Sequence, residues 1–122
     1  MNNDKDESKE LIKDLKKAIK KEELKNTRVI VAPTFVNLSS SIKAARKSKI
    51  EVVAQNMHQA KNGAFTGEIS ADMLKAIGIK TVILGHSERR TYFNETDVTL
   101  AAKVDAIIAN DLETIFCFGE LL

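Results

Sequence analysis

His86 stands in the run Leu84-Gly85-His86-Ser87-Glu88-Arg89-Arg90. An imidazole is the side chain best suited to proton exchange or to polarising a carbonyl near neutral pH. Ser87 to Arg90 offers a helix start directly after it, and backbone N–H groups at a helix start oppose positive charge on the ring. The plain alternative is a buried histidine satisfied by hydrogen bonds. Glu88 lies two residues on, and in an extended backbone its side chain points the same way as that of His86. It reads equally well as an acid capping the first helical turn. Ser87 reads as a cap rather than a nucleophile, because no base stands beside it in sequence. Arg89, Arg90 and Glu95 read as a structural ion-pair network. The single cysteine, Cys117, falls in an apolar run and reads as a small buried residue, not a reactive thiol. One cysteine allows neither an internal disulfide nor a CxxC-type metal site. No metal or organic cofactor is indicated.

These residues need elements to hold them. Residues 7 to 24 carry Leu11, Ile12, Leu15, Ala18, Ile19 and Glu22 at helical spacings. Arg28 to Pro33 is a β-branched run stopped by the only proline and reads as a buried strand. Residues 36 to 47 suggest a second amphipathic helix through Leu38, Ile42 and Ala45. Residues 50 to 56 form a second strand. A loop containing the turn pair Asn62-Gly63 follows. Ser70 caps a helix through Met73, Leu74 and Ile77, which Gly78 ends. Residues 80 to 86 are a third strand, with His86 at its carboxyl end. Residues 95 to 109 form a helix with Val98, Ala101, Ala102, Asp105 and Ile108 on one stripe. Residues 113 to 119 are a fourth strand. Strands that are apolar throughout and alternate with helices predict an α/β fold with parallel strands. The first strand ends in Ala32-Pro33-Thr34-Phe35, which lacks the glycine-rich turn of a dinucleotide site.

Composition narrows the classes. Lys plus Arg is 19 and Asp plus Glu is 17, a net charge of +2 (19 − 17), and the signs are interleaved. That argues against nucleic acid or a membrane surface as partner, since both select a one-signed patch. Apolar residues make up 43%, enough for a core. No run approaches the ~20 apolar residues of a bilayer span, and Met1 to Asp6 lacks a signal-peptide core. A soluble, cytoplasmic protein is expected. The glycosylation patterns at Asn37 and Asn94 are discounted accordingly.

Two segments add a resemblance. Asn62-Gly63-Ala64-Phe65-Thr66-Gly67-Glu68-Ile69-Ser70 resembles the third loop of the triosephosphate isomerase family. Leu84 to Arg90 resembles the end of that family's fourth strand. Gln55-Asn56 resembles the end of its third strand, and Cys117-Phe118-Gly119-Glu120 the end of its fifth. The resemblance covers nearly everything from residue 28 onward, and Met1-Asn2 resembles the dipeptide after the family's first strand. It implies a (β/α)8 barrel of about 250 residues. This chain then forms one incomplete domain over residues 1–122, a partial barrel holding strands two to five and helices one to four.

What the resemblance implies for the residues is specific. His86 would be the electrophile of a proton transfer between two carbons of a triose phosphate, interconverting dihydroxyacetone phosphate and glyceraldehyde 3-phosphate through an enediolate; the family's established use of a neutral histidine supplies that assignment. Glu88 would be the supporting carboxylate that orders the catalytic lysine. The loop from Met57 to Glu68 would insert into a neighbouring subunit of a homodimer, with Thr66 and Glu68 at the interface. His58 is expected simply exposed in that loop. The family's lysine falls one residue before Met1, and its base glutamate, lid and phosphate loops follow strand five. The chain alone is therefore expected to be inactive. The alternative is a non-catalytic half-barrel serving as an assembly or scaffold module. Half a barrel leaves edges and an inner face open, with Val31, Val53, Ile83 or Leu84, and Phe116 or Phe118 as candidates for exposure. Self-association, pairing with a complementary half, or a molten monomer is the expected consequence.

Overall fold

The computed structural model describes residues 1–21 and 24–119. They form two compact units, Met1–Ala54 and Gln55–Leu122.

In the first unit, α1 spans Lys5–Ile19 and starts two residues earlier than its periodicity predicts. The reason is a capping box. Asp4 accepts from the backbone N–H groups of Asp6 and Glu7, and the Glu7 carboxylate accepts from Asp4 N at 2.8 Å. Ser8 and Ile12 face inward, while Leu11 and Ala18 of the expected stripe are exposed. The expected extension to residue 24 includes Glu22, which lies outside the described residues. Lys16 Nζ donates to the carbonyls of Ala44 and Arg46 at 2.9 and 2.7 Å, tying α1 to the end of the second helix. That second helix is shorter than expected: a single 3-10 turn, Phe35–Asn37, leads into α2, Leu38–Ala45. Strand β1 is Val29–Val31 and β2 is Ile50–Val52, paired in parallel with Val29 opposite Ile50. The Arg28 guanidinium forks onto the Glu51 carboxylate beside this pair. Contrary to expectation, β1 is half-buried rather than buried.

The second unit holds α3 (Ala71–Ala76), β3 (Thr81–Leu84), α4 (Ser87–Tyr92), α5 (Asp97–Ala109) and β4 (Glu113–Phe116). Ser70 caps α3 by accepting from Met73 N, and Gly78 follows the helix at φ +90°. Strands β3 and β4 are parallel, with Thr81 opposite Glu113 and Leu84 opposite Phe116. Their helical connection is the usual way to bring parallel neighbours together. Thr96 caps α5 through Thr99 N.

The stripe predicted for α5 is the outward one. Val98 is 81% and Ile108 72% exposed, whereas Leu100, Lys103 and Ile107 are buried. A lysine on the inward side disguised the true stripe; it is accepted there because it meets a buried carboxylate. The expected inner-face residues also divide. Val53 and Leu84 are fully buried, Val31 and Ile83 are half-buried, and Phe116 and Phe118 are exposed. Strand β4 is the least covered strand of this unit. No described helix is long and apolar enough to cross a membrane.

Candidate functional site

The β3–β4 ladder closes with Cys117 N donating to Leu84 O at 2.8 Å. Gly85 then turns the chain at φ +75°, a conformation that suits glycine. A side chain there would also meet Cys117 O at 2.8 Å. His86 comes next, at the carboxyl edge of the sheet, with its side chain about half exposed.

His86 itself, not Ser87, is the cap of α4, and Ser87 is the first helical residue. The imidazole Nδ1 accepts from Glu88 N at 3.3 Å. That bond fits the tautomer with a bare Nδ1 and its N–H at Nε2. The Glu88 carboxylate lies 3.7 Å from the same Nδ1, too long for a hydrogen bond and an ion pair only if the ring takes a second proton. The backbone turns helical after His86, so the extended geometry that would align His86 with Glu88 does not occur; Glu88 is a first-turn acid with an exposed carboxylate.

Arg90 holds the backbone on both sides of His86. Its Nε donates to Gly85 O at 2.8 Å, and its N–H donates to His86 O at 3.2 Å. Its Nη2 reaches Cys117 O at 3.3 Å, and Nη1 donates to Asp97 at 2.8 Å. The Phe116 ring lies under the guanidinium, 5.9 Å from centroid to Cζ.

The expected network of Arg89, Arg90 and Glu95 is therefore two networks. Arg90 pairs with Asp97, not Glu95. Arg89 Nε donates to Glu95 at 3.3 Å and its guanidinium covers Phe93. The main partner of Glu95 is Lys103, which the residue pattern did not single out. Both are buried, and the Lys103 ammonium also donates to Asn56 Oδ1 at 2.8 Å. Burial opposes the Glu95 charge, but the hydrogen bond and charge of Lys103 and the charge of Arg89 outweigh it. The carboxyl is held below the usual carboxylate range. The signal for Lys103 was available: it sits between Leu100 and Ile107 at spacings of three and four.

The loop from Met57 to Glu68 is anchored at its base. Met57 is fully buried, and His58 N donates to Ile69 O at 2.8 Å. His58 is half-buried rather than simply exposed. Its ring packs on Phe65 with centroids 4.3 Å apart, and its Nδ1 accepts from Ala60 N. Gly63 sits at φ +139° against the Phe65 ring, where a Cβ would come within 2.6 Å. Thr66 and Glu68 are exposed. Cys117 lies just past β4 and is half-buried, not buried within a strand. Among the described residues, no group of three His, Cys, Asp or Glu could hold a metal ion.

Comparison with known proteins gives one family. The family model for triosephosphate isomerase matches residues 1–122. A triosephosphate isomerase of Flavobacterium psychrophilum is 52% identical over 122 residues, all of this chain and 48% of that protein. One from Flavobacterium johnsoniae is 61% identical over 97 residues, 80% of this chain and 39% of the relative. One from Clostridium acetobutylicum is 49% identical over 122 residues, again 48% of the relative. The chain spans about half the length of the curated relatives it matches.

Proposed function

The chain belongs to the triosephosphate isomerase family, and we propose that it contributes the electrophilic half of a centre interconverting dihydroxyacetone phosphate and glyceraldehyde 3-phosphate. The observation that carries this reading is the Nδ1 bond from Glu88 N. It suits the tautomer with its N–H at Nε2, on a half-exposed ring at the carboxyl edge of a parallel strand pair. In an enediolate reaction a base removes a proton from carbon and negative charge develops on the carbonyl oxygen. His86 Nε2–H donates a hydrogen bond to that oxygen as the charge grows. A neutral donor suits this role because it need not lose its proton at once. Glu88 fixes the ring through its backbone, and its exposed carboxylate is free to order a lysine supplied from outside the described residues.

In this reading the chain is one incomplete barrel domain over residues 1–122, holding barrel strands two to five, and works in the cytoplasm. Its partners are the triose phosphate and either a second subunit or a complementary barrel half. Thr66 and Glu68, exposed on a loop whose base is packed and hydrogen-bonded, are the proposed subunit contacts. No residue of the chain matches the family's base, so the chain alone has no meaningful turnover. Loss of a general base costs about 10²–10⁴-fold or more.

The test is coupled turnover of glyceraldehyde 3-phosphate by the 122-residue chain and by a full-length hybrid. In the hybrid, this chain replaces the matching segment of the Flavobacterium psychrophilum relative. Turnover by the hybrid and background rates for the chain are expected. A hybrid that folds but stays inactive overturns the isomerase reading and favours a non-catalytic half-barrel that serves assembly. A chain that matches the hybrid overturns the claim of inactivity.

A further inference from the structure

We propose that Arg90 is a positioning residue for His86: it holds the imidazole's backbone from both sides and so sets where the ring projects. The kinetic half of this inference rests on the isomerase reading above; the spectroscopic half does not.

The geometry is unusual for an arginine counted as part of an ion-pair network. The peptide before His86 ends in Gly85 O, which accepts from Arg90 Nε at 2.8 Å. The peptide after His86 begins with His86 O, which accepts from Arg90 N at 3.2 Å. Arg90 thus reaches the carbonyls on both sides of the His86 Cα, sharing the second with Arg89 N at 2.9 Å, and through them bears on its φ of −54° and ψ of 140°. Those two angles set the direction of the Cα–Cβ bond. The Nδ1 bond from Glu88 N then sets the rotation of the ring.

The strand pair needs such a clamp here. The ladder's last bond is Cys117 N to Leu84 O, and Gly85 leaves the strand at φ +75°. Beyond that point the Gly85 and Cys117 carbonyls have no ladder donor among the described residues. The Arg90 fork serves both, with Nη2 on Cys117 O at 3.3 Å. A guanidinium holds its donors in one rigid plane, which a lysine cannot reproduce. Asp97 at 2.8 Å and the Phe116 ring keep that plane in place. Gly85 belongs to the same device. A Cβ there would press on Cys117 O at 2.8 Å and on Arg90 Nη2 at 3.0 Å.

The test compares Arg90→Met, Arg90→Lys and Gly85→Ala with the parent. Nitrogen-15 spectra of the 122-residue chain report which ring nitrogen of His86 carries the proton. The parent is expected to show one tautomer, protonated at Nε2, and Arg90→Met a mixture of two, with Arg90→Lys between them. In the full-length hybrid, kcat for Arg90→Met is expected to fall about 10²-fold, the scale of an ångström-sized displacement. KM should stay within about threefold, because the substrate's other contacts are untouched. Gly85→Ala, which leaves residue 90 an arginine but presses on its fork, is expected to produce the same split. If Arg90→Met does not fold, Arg90→Lys carries the comparison. An Arg90 variant that keeps the parent's tautomer, or keeps kcat within about twofold, overturns the proposal. If the parent hybrid is itself inactive, the isomerase reading fails while the spectra still decide the role of Arg90.

Discussion

Glu95 and Lys103 show what a single buried pair demands of its surroundings. With both side chains almost sealed from water, removing one partner leaves an uncompensated charge. Lys103→Met is therefore expected to destabilise the second unit by about 3–5 kcal/mol, while Glu95→Gln with Lys103→Met recovers much of that loss. Urea midpoints at neutral pH check both. The pH dependence follows from the direction of the Glu95 shift. Its carboxyl titrates below the usual range in the folded chain. The stabilisation is thus complete above the unfolded-state value and is lost as pH falls through the lower folded value. Midpoints should drop on acidification below about pH 4.5, and Glu95→Gln should flatten that limb. His86 yields a different expectation, because the role proposed for it is chemical. His86→Gln in the hybrid should cost about 10²–10³ in kcat, the scale of one removed oxyanion donor, with the urea midpoint little changed. His86 was legible in the sequence because its neighbours form a long motif at a strand end. Lys103 was legible only through its spacing to Leu100 and Ile107, a signal masked because a lysine inside a helix normally marks the wet face.

At the scale of elements, the strands and helices were readable because helical and strand runs alternate cleanly. Their ends were not, because ends depend on single side-chain bonds. The Asp4 capping box moves the start of α1 into a stretch that looked merely polar. Asp4→Ala should cost about 1 kcal/mol, seen as a lower thermal midpoint, and Asp4→Asn should restore most of it. The inward face of α5 was misread for a related reason. Both candidate stripes contain apolar residues, and the more apolar one faces outward. Leu100→Ala should cost about 2–5 kcal/mol as a core truncation. Val98→Lys in the same isolated chain should change stability by no more than about 0.5 kcal/mol. Equal costs at the two positions would mean that α5 is rotated from the placement described.

The whole molecule leaves apolar surface uncovered where a parallel strand pair would normally be packed on both faces. On and after β4, Ile115 is 37%, Phe116 41% and Phe118 87% exposed, and Val98 and Ile108 stand outward on the helix before it. Scattered exposed hydrophobics are ordinary. Aromatic residues clustered along one strand end are not, because such a strand offers both an apolar face and unpaired edge groups to another chain. The 122-residue chain should therefore sediment as concentration-dependent assemblies. Phe116→Ser with Phe118→Ser should shift it toward monomer, because the change removes the apolar contribution and leaves the backbone edge. The relatives are about twice as long, and in the barrel reading proposed above the rest of that length is the cover for this surface. Adding the remaining segment of the Flavobacterium psychrophilum relative as a separate chain should then compete with self-assembly and restore measurable isomerase turnover. The serine variants should lose that restoration in parallel with their loss of self-assembly, because the same face is used for both. Turnover restored equally well by the serine variants would separate the two surfaces and place the covering half elsewhere.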